Sequence, residues 1–491
     1  MSKKLQLGEN ITIYQGDCLE SLRTMESGSV HCVITYPPYY GLRDYGTAQW
    51  EGGDPECDHV NEKQRNRNLG KDVSEARQGR TADESRLRDG VSKIDMICHK
   101  CGARRIDQQL GLESTPEEYI DKMVTIFREI RRVLRDDGTV WLNMGDSYWG
   151  GKGQSGQGSP EYQAARRDVS INKPHHHIGG PKQTRPSDGK HHTLKSKDLC
   201  GIPWRLALAL QADGWWLRQD IVWAKPNPMP ESCEDRCTKA SEYLFLLAKK
   251  PRYYFDNEAI KEQANLATQR DRPVNATRAI GNTSNGDRRI NYEKDRHVVE
   301  ARNKRSVWTI PTQPFPGEFC KSCKTFFEQG FKNMKRTEDD KPICPICGAF
   351  DQWLSHYATF PLKLVEPCIL AGTSEVGCCP QCGKPWERVV EKETYETRPI
   401  PKNIRQDELG KIHGDPGRHC TNSKTIGWSL SCECGGEPAP CVVLDPFMGS
   451  GTTAMAAIKH GRRCVGIELN EDYAEMTRQR IEKELKQPYL W

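Results

Sequence analysis

Three sets of residues have types and spacings that could do chemistry. The first is Tyr36-Pro37-Pro38-Tyr39, where an apolar run up to Thr35 meets two prolines, two aromatics and Gly41. Proline cannot continue a sheet ladder, so a strand ends here in a stiff, aromatic-walled loop. The second set lies in Val442-Val-Leu-Asp-Pro-Phe-Met-Gly-Ser-Gly-Thr-Thr453. Its apolar residues predict a buried parallel strand ending at Asp445. Gly449 and Gly451 then permit a tight turn and close backbone approach before a helix beginning near Thr452. A further strand, Cys464-Val-Gly-Ile-Glu468, ends in an acid placed to bind ribose hydroxyls. NAD enzymes share this architecture, but Phe447-x-Gly-x-Gly451 differs from their six-residue glycine pattern.

The third set is the cysteines, 21 in the chain. In a long chain whose first residues hold no signal-like apolar run, they read as metal-binding thiolates and not as a disulfide scaffold. Cys320-Lys-Ser-Cys323 with Cys344-Pro-Ile-Cys347 offers four thiolates, a closed structural zinc site without a catalytic position. Cys57 and His59 with Cys98 and Cys101 form a second candidate set, flanking a polar segment that zinc would close. Cys379 and Cys382 with Cys432 and Cys434 form a third, with Cys378 and Cys420 as competitors. The tract His175–His177 reads as solvated.

The elements that must position these groups alternate between strands and helices. A strand over Ile11–Asp17, a helix over Leu19–Met25 and a strand over 30–35 come first. Asp17 is either a strand-end acid facing a cofactor or the cap of the next helix. Thr115-Pro-Glu-Glu118 starts a helix, Asp136-Asp-Gly138 predicts its stop and a turn, and Thr139–Asn143 is a buried strand. After a helix over Gly201–Gln211, strands Trp215–Trp223 and Tyr243–Ala248 flank Lys225-Pro-Asn-Pro-Met-Pro230, a pattern suited to the antiparallel end of a sheet. Residues 150–195 read as a long polar loop. Residues 257–307 are also polar, with Lys and Arg in excess of Asp and Glu.

Composition sets wider bounds. With 36% hydrophobic residues a sizeable core is possible, and 491 residues suit two to four domains. A net charge of +5 is too mild to argue for nucleic acid alone. No stretch reaches the roughly 18 apolar residues of a membrane span, so no membrane association is expected and a cytoplasmic location is.

Tyr36-Pro-Pro-Tyr39 resembles motif IV of the DNA amino-methyltransferases, usually Ser-Pro-Pro-Tyr or Asp/Asn-Pro-Pro-Tyr, and Phe447-x-Gly-x-Gly451 resembles their motif I. The catalytic loop precedes the cofactor loop, the circularly permuted order of the beta class; the resemblance covers about residues 10–256 and 356–486. It implies a doubly wound, Rossmann-like α/β sheet that binds S-adenosylmethionine and double-stranded DNA, with zinc-stapled inserts outside the core. The catalytic residues would be Tyr36, Pro37, Pro38 and Tyr39. Pro37 would accept a hydrogen bond from the target amine, the residue before the prolines would supply a second acceptor, and Tyr39 would stack on a flipped base. Asp17, Phe360, Asp445, Phe447, Gly449, Gly451, Thr452 and Glu468 would hold the cofactor. The polar end of strand 139–143, from Asn143 to Asp146, would face the cleft, and the loop carrying Trp223 and Asn227 would approach the base.

The implied layout is a catalytic half over 1–256, with a zinc-binding insert at about 55–105. A target-recognition region with the four-cysteine site follows at 257–355, then a cofactor half over 356–491 with a possible zinc insert at 378–434. Tyr36 departs from the family pattern, since a phenol carries its oxygen farther from the backbone than a serine does. The expected reaction is N4-cytosine methylation, with N6-adenine methylation as the alternative and a catalytically silent DNA binder as the reading that Tyr36 supports. A cognate restriction endonuclease is a possible partner.

Overall fold

The computed structural model describes residues 2–57, 97–150, 191–264, 301–396 and 419–486, apart from 46, 55, 99, 232, 316, 333, 339, 351 and 355–359, together with the pairs 182–183, 405–406 and 412–413. His59, the segment 60–96, most of the 150–195 loop with His175–His177, residues 265–300, His356–Thr359 and the side chain of Cys420 lie outside this set.

The apolar runs of the sequence form one nine-stranded sheet. Its strands are β1 (Lys3–Leu7), β2 (Ile11–Gln15), β3 (Val30–Thr35), β4 (Leu134–Met144), β5 (Trp216–Ala224), β6 (Ser241–Ala248), β7 (Val307–Thr309), β8 (Val442–Asp445) and β9 (Arg463–Glu468). They are ordered β1-β2-β9-β8-β3-β4-β6-β5-β7. The run from β2 to β4 is parallel, so C-terminal β8 lies at its centre beside β3. Strand β6 pairs antiparallel with both β4 and β5, as the apolar runs around the proline-rich loop predict.

Alternation along the central strands assigns two faces. Val33 with Val140, Leu142 and Met144 packs into a core shared with Tyr119, Met123, Phe127 and Ile130 of helix α2 (Pro116–Val133). On the opposite face the Thr139 hydroxyl donates to Cys32 Sγ at 3.7 Å, beneath Gly372 at the end of helix α4 (Leu362–Gly372), which follows α3 (Ile202–Ala212) in the chain. A Cβ on Gly372 would lie 2.6 Å from that sulfur, so only glycine lets the helix approach. Thr115 caps α2 by accepting from the Glu118 amide at 3.2 Å. Arg132 near its end donates to the Leu22 carbonyl at 2.7 Å, tying α2 to α1 (Cys18–Arg23).

The turn expected at Asp136–Gly138 is not a separate one. Strand β4 runs from Leu134 to Met144, and its pairing with β3 slips between Val30–Leu134 and Cys32–Thr139, leaving the acidic residues on a bulge. Gly138 permits this because a Cβ there would sit 2.9 Å from the His31 carbonyl.

The chain divides into two compact units. The first holds residues 1–254, 306–372 and 440–491, the second 255–305 and 373–439. Of the 257–355 stretch, residues 306–355 thus belong with the large sheet. They include a three-stranded sheet, 318–320, 325–327 and 353–354. Phe319 and Leu354 of this small sheet pack against Tyr473 and Met476 of helix α6 (Glu471–Leu485), which follows α5 (Thr452–Lys459) in the chain. In the second unit a long ribbon pairs Trp386–Glu396 with His419–Leu430. Arg388 anchors it, bonded to buried Asp256 at 3.0 Å and stacked over Trp428 at 4.3 Å. Among the described residues no helix is long and apolar enough to cross a membrane.

Candidate active site

Strand β3 ends at Thr35 and strand β8 at Asp445, neighbours in the sheet, so the loops that leave them emerge side by side. Both line one cavity of about 720 Å³ in the first unit. Tyr36, Pro37, Pro38 and Tyr39 are on its wall, as are Asp17, Phe360, Phe447, Gly449, Thr452 and Glu468. Clefts at the carboxyl ends of parallel strands are where open α/β sheets bind ligands. The loop Tyr36–Tyr39 and the loop holding Phe447 and Gly449, roughly 400 positions apart in sequence, are thus brought together.

At one end of the cavity Tyr39 is fixed from several sides. Its hydroxyl donates to Glu242 Oε2 at 2.6 Å and accepts from Asn143 Nδ2 at 3.0 Å, while the same Asn143 nitrogen donates to Glu242 Oε2 at 2.8 Å. Lys225 Nζ pairs with the other carboxylate oxygen of Glu242 and lies 4.3 Å over the Trp223 ring. Burial, then the negative charge of Glu242, raises the Tyr39 phenol well above its ordinary pKa, so it stays a donor. The loop backbone is also held: Tyr119 donates to the Pro38 carbonyl at 2.8 Å. Gly145 leaves room for the Tyr39 ring, since a Cβ there would come within 2.2 Å of it.

Tyr36 packs among the aromatic rings of the loop and its surroundings. Its ring meets Tyr39 edge-on, with centroids 4.9 Å apart, and lies 5.5 Å from Phe360. Tyr36 also adds to the upward shift on the Tyr39 phenol.

At the other end the glycine turn behaves as the sequence predicts. Gly449 and Gly451 have φ of 53° and 81°, and a Cβ on Gly451 would lie 2.6 Å from Thr477. Asp445 does not reach the cavity. It is fully buried, accepting from the Thr453 hydroxyl at 2.6 Å and the Phe447 amide at 3.1 Å, and so it braces the turn from behind. Burial pushes its carboxyl up to about 7. Glu468 accepts from the amides of Gly449 at 2.8 Å and Asn470 at 2.8 Å. Burial likewise lifts it to about 7, with Asp445 adding a smaller push. Asp17 lines the cavity and also caps α1, accepting from the Glu20 amide at 2.9 Å.

The cysteine pairs also meet. Cys320 and Cys347 sulfurs are 3.6 Å apart, Cys323 and Cys344 3.7 Å, and the four lie within 4.8 Å of one another. Four thiolates on zinc with bonds of about 2.3 Å would stand about 3.8 Å apart. In the second unit Cys379, Cys382, Cys432 and Cys434 also lie within 4.8 Å of one another. Cys57, Cys98 and Cys101 form a group of three, with Cys57 and Cys98 3.8 Å apart; the expected fourth ligand, His59, lies outside the described residues. The first group is joined to the cavity, because Glu318 on its leading strand and Phe315 and Gly317 just before that strand are wall residues.

Sequence reasoning missed Glu242 and Lys225. The available signal was a single acid in the apolar strand Ser241–Ala248 and a lysine heading the proline-rich loop. Trp223 is buried and donates to the Ile310 carbonyl at 2.8 Å, and Asn227 accepts from the Thr312 amide at 2.9 Å. Both line the cavity while serving packing and loop closure.

The family model described as DNA methylase matches residues 30–379 and 441–479. The chain is similar to the type II methyltransferase M.Cfr9I of Citrobacter freundii, 30% identical over 483 residues, which are 98% of this chain and 91% of that one. It is similar to M.XycI of Xanthomonas campestris pv. cyanopsidis, 28% identical, with 96% and 87% of the two chains covered. M.SmaI of Serratia marcescens is 29% identical, with 96% and 90% covered.

Proposed function

Because the chain belongs to the DNA methylase family of N6/N4 amino-methyltransferases, we propose that its cavity joins S-adenosylmethionine to one flipped base of double-stranded DNA and that the base is cytosine, methylated at N4. The observation that carries this reading is the shared cavity: the Tyr36–Tyr39 loop and the Gly449–Glu468 turn face one space. S-adenosylmethionine, when bound, supplies an electrophilic methyl group on a sulfonium. The residues present suit it. Glu468 offers carboxylate oxygens for ribose hydroxyls, the glycine turn allows close backbone approach, and Phe447 and Phe360 give apolar walls.

The rest of the site would act on the base. An exocyclic amine is a poor nucleophile, because its lone pair is delocalised into the ring. The Pro37 carbonyl and the Tyr36 phenol would accept its N–H groups and favour a tetrahedral nitrogen, while the Tyr39 ring stacks on the base. The Tyr-Gly-Leu-Arg-Asp-Tyr continuation after the prolines, resembling the Ser-Pro-Pro branch, supports cytosine. Tyr36 replaces the residue that separates the two branches, which keeps N6-adenine as the second reading.

The cysteine groups, with sulfur spacings suited to tetrahedral zinc, would hold structural metal. Residues 257–355 with the basic loops would contact DNA, largely through phosphates. The similarity to type II methyltransferases supports a role in restriction-modification, in the cytoplasm and with a cognate endonuclease as partner. The test is transfer of a radiolabelled methyl group to duplex DNA, with RNA and protein acceptors alongside. Incorporation confined to DNA is expected; incorporation only into RNA or protein would overturn the assignment.

A further inference from the structure

The proline-rich loop Lys225–Pro230 presents one side chain almost wholly to solvent. Met229 is 84% exposed and is also a wall residue of the cavity, so it stands at the cavity's rim. Among the described residues it is the only exposed large apolar side chain on that wall, where Trp223, Phe360 and Met448 are buried. A single exposed apolar residue is ordinary on a protein surface. What sets this one apart is its place at the mouth and the support beneath it.

The loop that carries Met229 is anchored at several points. Lys225 donates its amide to the Ala240 carbonyl at 2.7 Å and pairs its ammonium with Glu242. Asn227 Oδ1 accepts from the Thr312 amide at 2.9 Å, and its Nδ2 donates to the Thr312 carbonyl at 3.3 Å. Pro226, Pro228 and Pro230 remove backbone freedom around these anchors. A side chain carried on a pre-ordered loop enters a partner without the cost of ordering backbone. Nor does charge at the rim repel a polyanion: Glu231 and Glu242 on this wall are paired with Arg236 and Lys225, and Lys239 adds a cation.

Resting on the methyltransferase reading above, we propose that Met229 is a wedge that enters the DNA duplex at the target and fills the gap left by the flipped base. Rotating a base out of a duplex breaks its pair and strips its neighbours of stacking. A side chain at the rim of the pocket that receives the base stands next to the place the base leaves. Apolar wedges, methionine among them, enter base steps in this way. An unbranched, polarizable thioether lies well against the faces of the flanking bases. The apolar surface that Met229 exposes in the free protein is then buried, which favours the flipped state. Met229 meets the duplex and not the amine or the methyl group, so it positions the base and takes no part in the transfer itself.

Because Met229 is exposed, M229A removes it without opening the core, and the melting temperature checks this. The base that the parent methylates is first mapped, and two duplexes are made around it. In one that base has its normal partner; in the other it stands opposite a mismatch, so that its pair is already broken. The experiment is single-turnover methylation of both duplexes by the full chain and by M229A and M229L, with S-adenosylmethionine affinity measured for each.

M229A is expected to slow methylation of the paired duplex about 10- to 100-fold, the scale of burying a methionine side chain. The mismatch should bring M229A back to within about threefold of the parent, since less of the flipping cost is left for the wedge to offset. M229L, apolar and of similar size, should recover most of the rate that M229A loses on the paired duplex. Cofactor affinity should stay within about twofold throughout. An M229A rate within threefold of the parent on the paired duplex, an equal loss on both duplexes, or no recovery by M229L overturns the wedge while leaving the methyltransferase reading intact. A parent protein that binds the cofactor and DNA yet methylates no base overturns both.

Discussion

Replacing Gly145 with alanine isolates the placement of Tyr39 from every other property of the site. Gly145 follows β4 and its φ is not in the left-handed region, so alanine meets no backbone penalty there. The new Cβ would lie 2.2 Å from Tyr39 Cε2 and 2.8 Å from Cζ. Carbon–carbon contacts normally begin at about 3.5 Å, so the ring must retreat by roughly 1.3 Å. Its hydroxyl sits 2.6 Å from Glu242 and 3.0 Å from Asn143, and a shift of that size takes at least one of these bonds beyond hydrogen-bonding range. Misplacement of a reacting group by about 1 Å costs about 100-fold in rate. G145A should therefore lower single-turnover methyl transfer to DNA by about that factor. S-adenosylmethionine affinity, measured by calorimetry, should stay within about twofold, because the glycine turn and Glu468 lie at the other end of the cavity. A G145A protein that transfers methyl groups at the parent rate would refute the claim that Tyr39 is held in its working position.

Three further outcomes are expected. Thr453→Val removes the 2.6 Å hydrogen bond to buried Asp445 without changing shape, and should cost about 1–3 kcal/mol in chemical denaturation. Glu468 holds its proton up to about pH 7, so cofactor affinity should fall as pH drops below 7 and the ionised fraction declines, with E468Q showing no such dependence. The sign for stability of the free protein is opposite: this carboxyl is raised from 4.5, so stability declines as pH rises from about 4.5 to 7, and the melting temperature of the parent relative to E468Q should decline over that window. With the proposed zinc at the Cys320 group, chelation, or Cys344→Ser, should lower the melting temperature and also weaken cofactor binding, because the small sheet carrying Cys320 packs on α6 and supplies Glu318, with Phe315 and Gly317 just before it, to the cavity wall. Metal analysis showing no zinc in the purified protein would contradict that reading.

Much of this site is legible in sequence because local rules dominate it. Two prolines after an apolar run end β3, and glycines before a small-residue helix shape the turn after β8; both need only backbone sterics to interpret. Thr115 and Glu118 likewise announce α2. What sequence hides is long-range. The β4 bulge arises from pairing with β3 across the sheet, so Asp136-Asp-Gly138 looks like a turn. Glu242 is unremarkable until β6 is set against β4 and β5, which brings Asn143 and Lys225 to it. Asp445 is read as a cavity residue by its place at a strand end, yet its hydrogen bonds turn it inward to support the loop. The cysteine sets show the intermediate case: spacing names the pairs, and only folding shows that Cys320–Cys323 and Cys344–Cys347 close on one point and that their sheet leans on α6.

The central claim is amino-methylation of a DNA base, and mass spectrometry of nucleosides tests it most directly. Duplex DNA incubated with the purified protein and S-adenosylmethionine, and DNA from cells expressing it, would be digested and compared with untreated DNA. The account predicts N4-methylcytosine. N6-methyladenine in its place would overturn the choice of cytosine, and the absence of both from a protein shown to bind cofactor and DNA would contradict the account itself.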